Sequence, residues 1–268
     1  MTQVLHKTLP QAPWMHPATR RLPGIQPLEL SDWIICDEAY AGQMALRDGL
    51  IAQNRDQVFA CLPEGEDVAA ETLAHILVHL PQGFSRRGRI LTRPDGVEID
   101  LEGDHPLITA GRLVQQDIAL LHKARGEAEH QLVGAILCFP ASWTLAEKLG
   151  QPLAAIHRSV ESYTDGMATR VQRLFDKVHE DRPLWRQNAL LYASADLFHP
   201  RAEAQPRSAS EGPAQYMRSE RQCILRLPRS GAIVFSIHTY LLHINDLSPD
   251  QLSALKLHPV EHAEGAPL

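Results

Sequence analysis

In the stretch Arg218-Ser-Glu-Arg-Gln-Cys-Ile-Leu-Arg-Leu227, polar side chains recur at alternate positions. Arg218, Glu220, Gln222 and Arg226 therefore share one face of an extended chain, and Arg221, Cys223, Leu225 and Leu227 share the other. Charged groups on a central strand are costly unless they are paired or serve a ligand. Alternation alone leaves two readings open. One is a solvated sheet face; the other is a polar pocket in which arginines bind an anionic group and Glu220 receives a cation or a proton. His157 follows Gly150 and Pro152, which stop a helix, on an irregular segment able to aim an imidazole into a pocket. It is, however, one of fourteen histidines. His75 and His79 have the spacing that lets two imidazoles on a helix share a metal, but no glutamate follows His75 and no third ligand is near in sequence. They read as solvent-facing helix residues. Gly-x-Ser-x-Gly, P-loop, Gly-x-Gly-x-x-Gly and zinc-hydrolase patterns are absent, so the common hydrolase, kinase and dehydrogenase classes have no support.

The elements that must position these groups follow from periodicity. Pro228-Arg-Ser-Gly231 is a turn between two strand-like stretches, so residues 218–241 read as a tight β-hairpin. On its second strand Ile233, Phe235, Ile237 and Leu241 point one way, and Val234, Ser236, His238 and Tyr240 the other. The apolar run at 132–139, stopped by Pro140, suits a strand buried on both faces. Residues 185–192 read as another strand, and 89–101 as a hairpin around Arg93-Pro-Asp-Gly96. Helices are expected at 38–46, capped by Ser31 or Asp37, and at 68–80, 106–123 and 167–179. A short helix is opened by a Thr144–Glu147 capping box and closed by Gly150. Residues 199–213 form a long loop. The fold class is α+β, with one domain at 28–245, an extended N-terminal arm at 1–27 and a C-terminal tail at 246–268.

Composition narrows the classes. A net charge of −6 argues against a phosphate-binding surface, so nucleic acid is not expected as a partner. Apolar runs fall far short of the ~20 residues of a membrane span, and the N-terminal stretch lacks the apolar segment of a secretion signal. A soluble, cytoplasmic protein is expected. Cys36, Cys61, Cys138 and Cys223 show no Cys-x-x-Cys spacing, which disfavours structural disulfides and an iron–sulfur cluster in this chain.

The ordered set Cys138-Phe-Pro140, Ser142-Trp143, Ala146-Glu-Lys-Leu-Gly150, Ile156-His157, Arg186, Asn188, Glu220-Arg-Gln222, Arg226-Leu-Pro-Arg-Ser-Gly231 and Thr239-Tyr240 resembles the alpha-subunit family of haem-dependent oxidative N-demethylases, over roughly residues 27–241. The resemblance implies a PAS-like haem domain, an antiparallel sheet with surrounding helices, in which His157 ligates the iron of haem b. It makes Arg186, Arg221 and Arg226 candidates for the haem propionates and Glu220 the anchor for the ammonium of a small secondary amine such as dimethylamine. The implied activity is oxidative N-demethylation with O₂ as co-substrate and formaldehyde as product. Electrons would come from NADPH through a separate flavin/iron–sulfur reductase subunit, because this sequence has no flavin, nicotinamide or iron–sulfur motif. Regular alternation sends Arg221 and Arg226 to opposite faces, so both could serve one ligand only if the strand bulges or ends between them. Three departures from the family pattern stand out. Arg158-Ser-Val-Glu-Ser-Tyr163 replaces a Gly-Pro-Val-Pro-Gly-Tyr type of loop, Ala189 replaces a tryptophan, and His238 replaces an arginine. They keep a rival expectation open, a non-catalytic PAS-like haem sensor or interaction module.

Overall fold

The computed structural model describes residues 4–21, 23–157, 165–205 and 213–263. Its helices are α1 (Pro17–Arg20), α2 (Tyr40–Gln53), α3 (Arg55–Val58), α4 (Glu66–Val78), α5 (Pro106–Gly111), α6 (Leu145–Lys148), α7 (Leu153–Ile156), α8 (Asp165–Lys177) and α9 (Pro249–Leu257). Its strands are β1 (Gln26–Pro27), β2 (Phe59–Cys61), β3 (Ser85–Arg87), β4 (Ile90–Thr92), β5 (Glu98–Asp100), β6 (Asp117–His122), β7 (Gln131–Ile136), β8 (Leu184–Tyr192), β9 (Tyr216–Arg226) and β10 (Ile233–His243). Seven strands form an antiparallel sheet in the order β1-β8-β9-β10-β6-β7-β2, and β3-β4-β5 form a small second sheet. The chain is α+β, with helices around an antiparallel sheet, as its periodicity indicates.

The β9–β10 hairpin runs without a register shift from Arg226 opposite Ile233 to Tyr216 opposite His243. Its turn needs a left-handed residue, and Gly231 takes φ +68° there. Glu71 of α4, itself buried, accepts the backbone N–H groups of Arg229 at 2.7 Å and Ser230 at 3.0 Å. Pro-Arg-Ser-Gly is thus a turn gripped from outside by a carboxylate. On that side of the sheet Cys223, Leu225, Leu227 and Val234 pack with Trp33, Val68, Ile76 and Leu107 into the largest core.

Residues 106–123 do not form the single helix expected of them. The helix ends at Gly111, and Asp117–His122 is a strand between β10 and β7. Ile118, Leu120 and Leu121 are all buried because β6 is covered on both faces, and such a run loses the alternation that marks a strand. The expectation for His75 and His79 also fails. Their rings lie 5.4 and 5.9 Å from Trp33, and both are half-buried rather than solvent-facing. Neither Ser31 nor Asp37 caps α2. Nor does Thr144 cap α6, since its hydroxyl donates to Glu147 Oε2 at 2.6 Å instead. Gly150 does close that short helix, at φ +73°.

The two end segments interlock. Leu9, Ala12 and Trp14 are buried with Leu191, Met217, Tyr240 and Leu242. Trp14 Nε1 donates to the Gln251 carbonyl at 3.0 Å, and Gln251 Nε2 donates to the Leu9 carbonyl at 2.7 Å. The stretch after Asp246 carries α9, opened by a Ser248–Gln251 capping box. In the 199–213 segment His199 bridges to Ala141 and Glu203 pairs with Lys148, while residues 206–212 lie outside the described residues. The four cysteines are free thiols, and no described helix is long and apolar enough to cross a membrane.

Candidate functional site

Strand parity assembles a polar surface from three neighbouring strands. Arg186 of β8 stands opposite Gln222 of β9, Asn188 opposite Glu220, and Glu220 opposite Thr239 of β10. All four polar groups on β8 and β9 are half-buried, on the face away from the largest core. Helices cover its flanks. Phe175 and Val178, in and just after α8, pack on Ile224 and Ile233 together with Leu121 and Leu153. Leu145 of α6 packs on Leu132, Ala135 and Leu137, with Trp143 and Ile156 against them. His157 is the residue that ends α7.

The His157 ring is oriented from behind, its Nδ1 hydrogen-bonded to the Leu153 carbonyl at 2.9 Å. A carbonyl can only accept, so Nδ1 carries the proton and the lone pair of the neutral ring is on Nε2. Burial lowers the His157 pKa; the Leu153 hydrogen bond opposes this, and the charges of Lys148 and Arg186 add to the lowering. At neutral pH the ring is an uncharged imidazole.

Arg186 is a cation of this surface with neither an ion pair nor a side-chain hydrogen bond among the described residues. Its Nε is buried and has no hydrogen-bond partner, and burial pulls its pKa down against the opposing charge of Glu220. Glu220 is held on both oxygens. Arg218 Nε donates to Oε1 at 3.2 Å; Gln222 Nε2 and Asn188 Nδ2 approach Oε2 at 3.1 and 3.4 Å.

The other two candidate arginines are not brought to this surface in usable form. The β8–β9 and β9–β10 registers are unbroken, so β9 has no bulge and Arg221 lies on the opposite face. There its Nη1 donates to the Asp32 carbonyl at 2.7 Å, and its guanidinium lies 5.1 Å from the Trp185 ring. Arg226 shares the face of Glu220, but its donors are spent on backbone carbonyls: Val178 at 2.7 Å, Phe175 at 2.7 Å, Asp176 at 3.3 Å and Gly231 at 2.5 Å. Alternation identified the opposed faces; it carried no signal for partners that are main-chain atoms far away in sequence. Arg218 was legible as a neighbour of Glu220 on the strand pattern, whereas nothing in the sequence paired Asn188 with it or showed either residue holding its carboxylate.

Two of the family departures fall away from this surface. Ala189 lies on the opposite face, packed with the end-segment cluster. His238, also on that face, is hydrogen-bonded through Nε2 to Asp37 Oδ2 at 2.9 Å, and His6 Nε2 reaches the same oxygen at 2.8 Å. The backbone N–H of Leu241 donates to His6 Nδ1 at 3.2 Å, which leaves the proton of a neutral His6 on Nε2, facing the carboxylate. This group has metal-ligand composition but the hydrogen-bond pattern of a carboxylate clamped by two donors. Burial pushes the Asp37 pKa up, yet the bonds from His238 and His6 outweigh it and hold the carboxyl well below its usual range. The third departure, at 158–163, lies outside the described residues.

Residues 24–260 match the family model described as haem-dependent oxidative N-demethylase, alpha subunit-like.

Proposed function

The chain belongs to that haem-dependent oxidative N-demethylase alpha-subunit-like family, and we propose that it is a haem-binding catalytic subunit that demethylates a small secondary amine of the dimethylamine type. What supports the proposal is a half-buried sheet face that carries an arginine without an ion pair among the described residues and a carboxylate held on both oxygens, with a carbonyl-anchored histidine at the end of α7 near enough to Arg186 to feel its charge.

These residues fit a haem. His157 would ligate iron through Nε2, with Leu153 fixing tautomer and ring plane from the other nitrogen. Arg186 would pair a propionate, which would give its buried Nε and guanidinium the anion they lack. Arg221 is left out of this role because it lies on the opposite face, and Arg226 because its donors are engaged by backbone carbonyls. When bound, haem b supplies the O₂ activation that oxidises an N-methyl carbon. Glu220 binds the substrate ammonium and orients its methyl group. The oxidised carbon leaves as formaldehyde once the carbinolamine breaks its C–N bond, the nitrogen regaining a proton as the shorter amine. One O₂, two electrons and two protons go to the inserted oxygen and one water, so an external reductant is required. NADPH through a flavin/iron–sulfur partner subunit meets that need.

Dimethylamine titration of the haem-reconstituted chain, followed by its visible spectrum, tests the proposal. A haem band perturbed by the amine is the expected result. Absence of a haem band would favour an interaction module, and a band responding only to diatomic gases would favour a sensor.

A further inference from the structure

We propose that Arg218 is a positioning residue for amine recognition, fixing the Glu220 carboxylate so that one acceptor direction is left for the substrate; this rests on Glu220 being the amine anchor. Arg218 is 2% exposed, and its guanidinium is tied down independently of Glu220. Nη2 donates to the Phe139 carbonyl at 2.6 Å, Nη1 donates to the Leu197 carbonyl at 3.2 Å, and the group lies 5.9 Å from the Tyr192 ring. Phe139 and Leu197 stand just before the two segments joined by the Ala141–His199 bridge, so the fork is clamped between them. Because Arg218 cannot follow Glu220, the carboxylate must come to Arg218 Nε.

The second oxygen is fixed from the other side. The Glu220 backbone N–H donates to Asn188 Oδ1 at 3.0 Å, which sets the amide orientation and turns Asn188 Nδ2 towards Glu220 Oε2, where Gln222 Nε2 also donates. A carboxylate has about four lone-pair positions, and these three donors use three. One remains. A single N–H of an ammonium can take it, whereas a guanidinium, which needs two parallel bonds, cannot be satisfied there. Arg218 also balances the Glu220 charge before substrate arrives, so this half-buried face does not hold an uncompensated anion.

The test uses full-length, haem-loaded protein and dimethylammonium chloride, read by the haem difference spectrum and by calorimetry. R218K keeps the charge but loses the fork, and is expected to weaken amine binding about tenfold with the Soret position and haem affinity unchanged. E220Q weakens binding too, and R218K/E220Q binds no more weakly than E220Q alone, since Arg218 acts only through Glu220. Wild-type affinity in R218K, an R218K effect that adds in full to E220Q, or tighter binding in R218Q would each overturn the role. Should R218K not fold, Q222L loosens the same cradle from Oε2, and wild-type amine affinity in that variant overturns the cradle. A wild-type protein silent to amine, or E220Q binding as wild type, defeats the amine assignment itself. A weakened E220Q beside an unaffected R218K defeats the Arg218 role alone.

Discussion

Glu220, Arg186 and His157 are positioned by different elements. Glu220 and Arg186 sit on neighbouring strands of like parity, and His157 arrives at the end of a single helical turn hydrogen-bonded to itself through Leu153. The carboxylate is the group most open to a direct test. A charged hydrogen bond lost from a buried partner costs about 1.5–3 kcal/mol, so Glu220→Gln should weaken dimethylammonium binding by at least tenfold in a calorimetric titration. His157→Ala should abolish or displace the Soret band of haem-loaded protein, and an unaltered spectrum would assign the iron to another histidine. Alternation in the sequence was enough to place Glu220 on a face with Arg218 and Gln222 and to separate Arg221 from Arg226. It could not tell a ligand-binding arginine from a structural one. Arg221 and Arg226, unlike Arg186, have carbonyl oxygens within reach, and the carbonyls of Asp32, Val178 and Phe175 are supplied by backbone geometry that no residue type encodes.

Helix α8 depends on the sheet for its C-terminal end. Three of its terminal carbonyls, including that of Val178 just beyond it, accept from Arg226, and Gly231 in the hairpin turn accepts from the same guanidinium. Arg226 thereby stands in for the missing intrahelical donors of the last turn and favours its dipole. Arg226→Ala should cost about 2 kcal/mol of stability by leaving those carbonyls poorly satisfied. Hydrogen exchange should accelerate first at residues 170–178 if the clasp acts on α8, while uniform acceleration across the sheet would show that it does not. The amphipathic pattern of α8 was readable because one side of the helix is solvated. That of β6 was not, because a strand flanked by β10 and β7 and covered on both faces shows a run of apolar residues with the same period content as a buried helix. The capping sequence at Thr144 misled for a related reason. A hydroxyl and a carboxylate three residues apart can bond to each other, as Thr144 and Glu147 do, without either reaching a backbone N–H.

At the scale of the whole molecule, acid should be its weakness, and the sign follows from where the histidines sit. His75, His130, His157 and His238 all have pKa values lowered from the ordinary 6.5, each with burial as the largest cause. In the unfolded chain these rings bind protons as the pH falls through 6.5; in the native state they resist until lower pH. The unfolded state therefore holds more protons in that window, so stability is full above pH 6.5 and declines as the pH drops through the native pKa values. Each proton of difference adds about 1.4 kcal/mol per pH unit to the slope. His130 and His238 are buried, at 2% and 1% exposed. The Asp37 clamp works in the same direction but at lower pH. Its depressed carboxyl stabilises the fold above the ordinary carboxylate range and loses that contribution only in stronger acid, as the His6 and His238 bonds are challenged. Since that clamp joins the N-terminal segment to β10, its loss in stronger acid should expose Trp14 through the linked end segments. Urea midpoints measured from pH 8 to pH 5 should be flat at the alkaline end and fall below pH 6.5. His238→Gln should flatten the decline, as removal of one buried titrating ring takes its proton out of the balance. Midpoints that stay level down to pH 5 would show that these histidines do not resist protonation in the native state.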